Sequence, residues 1–221
     1  INMKGLILAA GRGSRMGDLT SELPKCRTML HGKELIQWQL ESLNSTSIEE
    51  VAIIRGYLSQ TFDFKLTYFE NKRWSETNMV GSLIAATSWL DSHTCITSYS
   101  DIVYSPSAVD RLINAPGDIV ITYDPNWENL WSKRFEDPLS DAETFKLSGT
   151  QVIEIGQNAS SVAEIEGQYM GLVKYTPDGW KQVSLYLNTL NQNEIDQMDM
   201  TKLLQNLIKR GVIINAVSIL D

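Results

Sequence analysis

The chain has 221 residues, of which 43% are hydrophobic, so it is long enough to form one domain with a full core. Its 27 acidic residues outnumber its 19 lysines and arginines, and the formal net charge of −8 argues against a nucleic-acid-binding protein, which needs a basic surface. The sequence contains no apolar run of the roughly 20 residues that span a bilayer and no recognisable secretion signal. Its two cysteines lack metal-ligand spacing and suit a reducing compartment. We therefore expect a cytoplasmic protein that binds neither membranes nor nucleic acids.

The first half of the chain alternates between strand and helix patterns. Buried-strand patterns cover residues 4–10, 51–54, 66–69, 94–97 and 118–123. Helical spacing of apolar residues covers 34–43, 77–90 and 106–113, the last with Ser105 as its cap. Repeated alternation of this length predicts an α/β fold with a largely parallel sheet that is covered on both faces.

The second half of the chain departs from this alternation of strand and helix patterns. We predict a hairpin from 145–147 and 152–155, a strand over 169–175, helices over 177–190 and 200–209, and a last strand over 212–217. Gly211 marks the end of the last helix. No linker or low-complexity tract separates these elements, so residues 1–221 are expected to form a single domain.

A glycine-rich turn follows the first predicted strand. Gly11 and Gly13 can adopt positive φ or let a ligand contact bare backbone, and Arg12, Arg15 and Lys25 add positive charge nearby. Backbone N–H groups and cations of this kind bind polyphosphates, although an ordinary tight turn also explains the two glycines. The turn is neither a Walker loop nor the dinucleotide fingerprint, because it lacks the Gly-Lys-Ser/Thr of the first and the third glycine of the second.

A carboxylate is expected to face this turn. In an open parallel sheet, ligands lie beyond the carboxyl ends of the strands, which is where residues 10–25, 98–102 and Asp124 fall. Asp101 follows the strand over 94–97 and can bind Mg²⁺, a hard cation that takes one or two protein carboxylates and completes its shell with water and phosphate oxygens. An aspartate a few residues before a helix can also be a helix cap.

The string LILAAGRGSRMGDLTSELPK at residues 6–25 resembles the signature of nucleotidyltransferases that join a nucleoside triphosphate to a phosphorylated sugar or alcohol. The resemblance implies a Rossmann-like three-layer sandwich with a mostly parallel mixed sheet, the glycosyltransferase-A-like nucleotidyltransferase fold. It also implies Mg²⁺-dependent transfer with release of pyrophosphate, with Arg15 on the β- and γ-phosphates, Lys25 on the α-phosphate and acceptor phosphate, and Asp101 on the metal. The nucleotide-binding residues that it implies in the turn are Ala9, Ala10, Gly11, Arg12 and Gly13.

A second segment, ENKRWSETNMVGSL at residues 70–83, resembles the base-pocket region of phosphocholine cytidylyltransferases. Asn71 or Asn78 could read a pyrimidine edge, because a side-chain amide offers both a donor and an acceptor. Asn78 could instead cap the following helix, as could Thr77.

Four residues are candidates for contacts with the acceptor. Trp127, with the carboxylate of Asp124 nearby, could hold an amine through cation–π and charge attraction, although its helical spacing from Trp131 also suits core or lid packing. Glu166 and Tyr169 fall where the resemblance implies acceptor contacts. The alternatives for this pair are an edge carboxylate in solvent and a tyrosine lining the core.

Two departures from the family pattern bear on the substrate. Many sugar-specific relatives carry Glu-Lys-Pro where this chain has Ile-Gly-Gln-Asn at 155–158, so the lysine for the acceptor phosphate is absent there. They also place a second metal-binding aspartate after the last strand, whereas this chain ends at Asp221. Either Asp221 serves in that place or a tail is missing from the sequence, and we expect the latter. We favour CTP with a phosphorylated amino alcohol such as phosphocholine, or with a phosphonate. The alternatives are a sugar-1-phosphate uridylyl- or thymidylyltransferase and a non-catalytic nucleotide-binding regulator. The sequence does not predict the oligomeric state.

Overall fold

The computed structural model describes residues 3–13, 22–132 and 142–219, with residues 130–132 described by their backbone alone. The strands, in chain order, are β1 (Met3–Ala9), β2 (Met29–Leu30), β3 (Lys33–Glu34), β4 (Ile48–Arg55), β5 (Thr67–Glu70), β6 (Thr94–Tyr99), β7 (Ile119–Asp124), β8 (Glu143–Ser148), β9 (Gln151–Asn158), β10 (Gln168–Tyr175) and β11 (Asn215–Ser218). The helices are α1 (Leu35–Asn44), α2 (Met79–Ile84), α3 (Thr87–Leu90), α4 (Pro106–Asn114), α5 (Trp127–Ser132), α6 (Pro177–Leu187), α7 (Gln192–Gln197) and α8 (Met200–Lys209).

Nine of these strands form one mixed sheet in the order β5-β4-β1-β6-β10-β7-β11-β9-β8. The four strands from β5 to β6 are parallel neighbours, whereas β10 runs antiparallel to both β6 and β7. The carboxyl ends of β1 and β6 therefore meet the amino end of β10 at one edge of the sheet. This arrangement confirms the predicted mostly parallel mixed sheet.

Helices cover both faces of the sheet and give the three-layer sandwich that was predicted. Alternate side chains of β1 point to opposite faces: Leu6 and Leu8 pack with α2, α3, α6 and α8, while Ile7 and Ala9 pack with α1 and α4. Because this central strand is buried on both sides, it reads as a continuous apolar run rather than as an alternating one.

Two predicted helices end earlier in the structure than the apolar spacing suggested. The pattern over 77–90 is divided into α2 and α3, and the Thr87 hydroxyl donates to the carbonyl of Ile84 at 2.6 Å where the first helix ends. The pattern over 177–190 ends with α6 at Leu187, after which Asn191 and Glu194 form a capping box that begins the unpredicted helix α7. Local hydrogen bonds from polar side chains thus override the apolar spacing.

Two further differences involve turns. The last strand begins at Asn215 instead of 212, because Gly211 has a φ of 84° and the Val212 N–H returns to the carbonyl of Leu207 at 3.0 Å, which extends the helix cap. The small hairpin of β2 and β3 was not predicted. Its turn residues, His31 and Gly32, both have positive φ, the backbone that a two-residue hairpin turn requires.

The remaining predicted helices and strands agree closely with the structure. Helix α4 begins after Ser105, whose hydroxyl accepts from the Ala108 N–H at 3.3 Å, and α8 covers the predicted residues. Cys26 and Cys95 are free and buried, and burial raises the pKa of Cys26 to about 12, so neither is a reactive thiol. Across residues 3–13, 22–132 and 142–219, no helix has the length and apolarity needed to cross a membrane.

Candidate active site

The glycine-rich turn begins directly after the central strand β1. Ala10 is 1% exposed and its carbonyl accepts the Tyr57 N–H at 2.9 Å, which fixes the start of the turn. Gly11 and Arg12 are exposed, and the Arg12 guanidinium lies 5.7 Å from the centre of the Tyr57 ring. The turn therefore offers exposed backbone with a cation beside it.

Gly13 shows the positive φ that was predicted for this turn, at 67°. A Cβ at this position would lie 3.1 Å from the side-chain carbons of Lys25, so the missing side chain lets that lysine pass close to the turn. Arg15 lies outside the described residues, and its contact with the β- and γ-phosphates stays a prediction.

Lys25 and Asp101 meet at this edge of the sheet. Lys25 begins a 3₁₀ turn over Lys25–Arg27 and Asp101 follows β6, and Lys25 Nζ lies 2.6 Å from Asp101 Oδ2. Their side chains are 27% and 35% exposed, so both remain accessible to a ligand. Because Ser105 is the residue that caps α4, the helix-cap alternative for Asp101 is wrong.

The segment predicted to read the base is held by its own side chains. Asn71 is 7% exposed, and its amide donates to Thr77 Oγ1 at 2.9 Å and to Ser82 Oγ at 3.0 Å, while its oxygen accepts the Arg73 N–H. Both amide hydrogens of Asn71 are therefore used inside the loop. Asn78 is the cap of α2 and accepts the Met79 N–H at 2.7 Å, which confirms the capping alternative for this residue. Base contact by Asn71 or Asn78 stays a prediction.

The same loop is joined to α7. The Arg73 guanidinium donates to both carboxylate oxygens of Asp196, at 3.1 and 2.6 Å, and these bonds lower the pKa of Asp196. The Asn78 N–H adds a bond of 2.7 Å to the Asp196 carbonyl. The loop beside the turn is thus attached to the segment that leads into α8.

A cavity of about 420 Å³ opens beside Asp101. It is lined by residues from β6, β8, β9, β10, the start of α8 and the segments between them: Tyr99, Asp101, Trp127, Ala142, Glu143, Thr144, Phe145, Ile155, Ile165, Gly167, Gln168, Tyr169, Asp199, Met200 and Thr201. The rings of Tyr99 and Tyr169 meet edge to face with centroids 5.9 Å apart. A space of this size admits a small organic molecule.

Two of the four predicted acceptor residues, Trp127 and Tyr169, line this cavity. Trp127 is also a packing residue: it is 4% exposed, and its indole N–H donates to the Ile165 carbonyl at 3.0 Å. The core-packing alternative for Trp127 is therefore confirmed, although the same ring forms part of the cavity wall. The side chain of Trp131 lies outside the described residues.

The other two predicted acceptor residues bond to nearby backbone. Asp124 Oδ1 accepts the Asn126 N–H at 2.8 Å, and Glu166 Oε2 accepts the Leu147 N–H at 2.5 Å. Neither residue is part of the cavity wall. These bonds give both carboxylates a role in holding loops, and their contact with an acceptor stays a prediction.

Sequence reasoning missed Glu143 and Asp199, which both line the cavity. Asp199 looks like a helix cap in the sequence and is one, since it accepts the Lys202 N–H at 2.8 Å. Glu143 begins a strand and carries no motif. Both residues are solvent-exposed at the cavity wall. Partial desolvation of Glu143 there, followed by the charge of Asp199, raises the pKa of Glu143. Nothing in the local sequence of either residue predicts that the two share a cavity.

The mixed sheet and the glycine-rich turn after its central strand agree with the fold expected for a nucleotidyltransferase. The fold agrees with a solved structure of a Streptococcus pneumoniae CTP:phosphocholine cytidylyltransferase, with a TM-score of 0.70 at 18% identity over 100% of this chain and 91% of the other. This likeness confirms the predicted glycosyltransferase-A-like fold.

The chain belongs to the MobA-like NTP transferase domain family, whose family model matches residues 5–153. It is similar to the CTP:phosphoglutamine cytidylyltransferase of Campylobacter jejuni, with 36% identity over 94% of this chain and 89% of the relative. It is also similar to the 2-aminoethylphosphonate cytidylyltransferase of Lancefieldella rimae, with 24% identity over 89% of this chain and 82% of the relative. The predicted nucleotidyltransferase activity is thereby confirmed.

Proposed function

We propose that this enzyme transfers a cytidylyl group from CTP to a small phosphorylated or phosphonate-bearing acceptor and releases pyrophosphate. The observation that carries the proposal is the contact of Lys25 with Asp101, at the point where the glycine-rich turn meets the cavity. The turn would bind the triphosphate and the cavity would bind the acceptor, so the two substrates would meet at this pair.

The choice of CTP is supported by the names of the relatives. The three proteins compared above are a phosphoglutamine, a 2-aminoethylphosphonate and a phosphocholine cytidylyltransferase. All three names give a cytidylyltransferase, although their acceptors differ. The names therefore agree on the nucleotide and differ in the acceptor.

The reaction needs only positioning and charge stabilisation. An oxygen of the acceptor's phosphate or phosphonate attacks the α-phosphorus of CTP, and a new P–O bond forms. The bond from that phosphorus to the oxygen bridging the β-phosphate breaks, and pyrophosphate leaves with the electron pair. Lys25 stabilises the negative charge around the α-phosphate and the attacking phosphate, so no covalent enzyme intermediate is required.

We also propose Mg²⁺ as the cofactor, with Asp101 as a carboxylate ligand. Asp101 fits this ion, because its hard oxygens are partly exposed beside the turn and Mg²⁺ commonly takes only one or two protein carboxylates. Mg²⁺ would supply charge neutralisation for the phosphate oxygens. Asp221, the candidate for a second carboxylate, lies outside the described residues. We expect the enzyme to work in the cytoplasm.

The test is pyrophosphate release with Mg²⁺, measured for CTP, UTP, dTTP, ATP and GTP against phosphocholine, 2-aminoethylphosphonate and several sugar 1-phosphates. Turnover with CTP and an amino-bearing acceptor is the expected result. Turnover only with UTP or dTTP and a sugar 1-phosphate would replace the proposal by the sugar-nucleotide alternative. Nucleotide binding without turnover for any pair would favour the non-catalytic regulator.

A further inference from the structure

The cavity contains two carboxylates that have no cationic partner within the described part of the chain. Asp101 is paired with Lys25, but neither Glu143 nor Asp199 forms an ion pair with a described lysine or arginine. Among the described residues, no lysine or arginine belongs to the cavity wall. The part of the wall that the structure describes therefore carries a net negative charge.

Thr201 joins these two carboxylates. Its hydroxyl lies 3.2 Å from Asp199 Oδ1 and also interacts with Glu143. The charge of Asp199 contributes to raising the pKa of Glu143, so the two groups repel each other. A cation placed between them would relieve that repulsion.

The rest of the wall suits an organic cation. The rings of Tyr99, Trp127 and Tyr169 surround the space, and aromatic faces attract cations. The Tyr169 hydroxyl interacts with the Tyr99 hydroxyl, so the two tyrosines hold each other in the cavity wall. Within residues 3–13, 22–132 and 142–219, no three His, Cys, Asp or Glu side chains lie together as a group that could hold a metal ion.

We propose that Glu143 and Asp199 bind the ammonium group of a zwitterionic acceptor whose phosphate or phosphonate faces Lys25. This inference rests on the proposed function and extends it, because it assigns the specificity for an amino-bearing acceptor to two named residues. A sugar 1-phosphate has no cation to offer these carboxylates. The charge distribution therefore selects against sugar phosphates.

The test compares each ammonium compound with a neutral molecule of the same shape. The two pairs are phosphocholine with 3,3-dimethylbutyl phosphate, and 2-aminoethylphosphonate with propylphosphonate. Affinity is measured by calorimetry in the presence of α,β-methylene-CTP, so the readout does not depend on turnover. CTP-analogue binding alone is measured in the same experiment and reports separately on the nucleotide site.

Glu143→Gln and Asp199→Asn remove the charges with little change in shape, and asparagine still caps a helix well, so α8 keeps its first turn. The matched control is Glu154→Gln, because Glu154 pairs with Lys146 at 3.4 Å and is not part of the cavity wall. All three variants are expected to bind the CTP analogue like the wild type.

For at least one pair, the wild type is expected to bind the ammonium compound about tenfold more tightly than its neutral counterpart, the sum of partly exposed charge and cation–π contributions. Either Glu143→Gln or Asp199→Asn should bring the ratio of the two affinities near one, whereas Glu154→Gln should keep the wild-type ratio. Equal binding of both members of each pair by the wild type, no binding of either ammonium compound, or an unchanged ratio in both variants would overturn the inference. Tight ammonium binding without pyrophosphate release would leave this inference standing and reject the proposed function.

Discussion

Lys25 and Asp101 are 76 positions apart in the chain, yet their charged atoms are 2.6 Å apart. Each follows the carboxyl end of a parallel strand, and β1 and β6 are neighbours, so the sheet brings the two loops together. Because both side chains are partly exposed, their ion pair contributes little to stability, about 0–1 kcal/mol. The contact matters because it places a cation and a carboxylate beside the glycine-rich turn.

Lys25→Ala is expected to lower kcat by about 100-fold or more, as is found when a preorganised charge donor is removed from other active sites. Pyrophosphate release at saturating CTP and acceptor measures the effect. Lys33→Ala is the matched control, since Lys33 is an exposed lysine that pairs with Glu41 on the surface. Unaltered turnover in Lys25→Ala would remove this lysine from the mechanism.

Glu143→Gln is expected to stabilise the protein at pH 7. Partial desolvation and then Asp199 raise the pKa of Glu143, so folding loses stability as the pH rises from the unfolded carboxylate pKa, about 4.3, through the higher folded value. The midpoint of urea unfolding should therefore be higher in the variant at pH 7 and equal to that of the wild type near pH 3. Glu154→Gln should give no such gain. A lower midpoint for Glu143→Gln at pH 7 would contradict an unfavourable charge in the cavity.

Among the elements, α7 connects the two sides of the site. Asp196 in this helix accepts two hydrogen bonds from Arg73 and offers its carbonyl to the Asn78 N–H. Asp199 follows α7 directly and lines the cavity. The loop over 71–78 and the cavity wall are consequently held by one short helix.

Arg73→Ala is expected to weaken CTP binding and to lower stability in a pH-dependent way. Hydrogen bonds from Arg73 lower the pKa of Asp196, so the stability from this pair is present above the unfolded pKa of about 3.9 and is lost as the pH falls through the folded value. Urea midpoints of the variant and the wild type should differ by a constant amount above pH 5 and converge below pH 4.

The control for this pair is Arg73→Lys, which keeps the charge but cannot form the two parallel bonds that the guanidinium makes. The urea midpoint of Arg73→Lys should fall between that of the wild type and that of Arg73→Ala. A midpoint difference that does not change with pH would assign the effect of Arg73→Ala to lost packing.

In the whole molecule, the two sides of the sheet contribute different parts of the site. The parallel strands from β5 to β6 carry the glycine-rich turn and the Asn71 loop, whereas β10 and the hairpin of β8 and β9 contribute much of the cavity wall. The two sides meet between β6 and β10. On the opposite edge of β10, its register with β7 shifts between Tyr169 and Val173, and Gly171 in that interval has a φ of 81°.

Gly171→Ala should weaken acceptor binding more than CTP binding. A Cβ there would lie 2.8 Å from Tyr99 Cγ and would displace this ring, which lines the cavity. We expect a destabilisation of about 1–3 kcal/mol from the backbone strain and the contact. Gly149→Ala is the matched control, because Gly149 has a φ of 61° with nothing within 4 Å of the added Cβ. Calorimetry measures the binding of CTP and of the acceptor, and urea unfolding measures the stability of each variant. Equal effects of Gly171→Ala and Gly149→Ala would contradict a role for Tyr99.

The sequence by itself determined the class of fold and one half of the site. The alternation of apolar runs and amphipathic segments predicts the layers, and the turn over 10–13 is visible because glycines and cations lie next to each other in the chain. Lys25 and Asp101 were expected at a common edge because each follows a parallel strand, whereas their roles were implied by the resemblance to nucleotidyltransferases. Signals of this kind are local, so they can be read without coordinates.

Only the tertiary structure decided which side chains share the cavity. Glu143 and Asp199 belong to different elements, and their local patterns indicate a strand residue and a helix cap. Asn71 or Asn78 was expected to contact the base, and only the structure shows that Thr77 and Ser82 use both amide hydrogens of Asn71. The physical reason is that charge repulsion and hydrogen-bond satisfaction depend on distances between groups far apart in the chain, which packing alone sets.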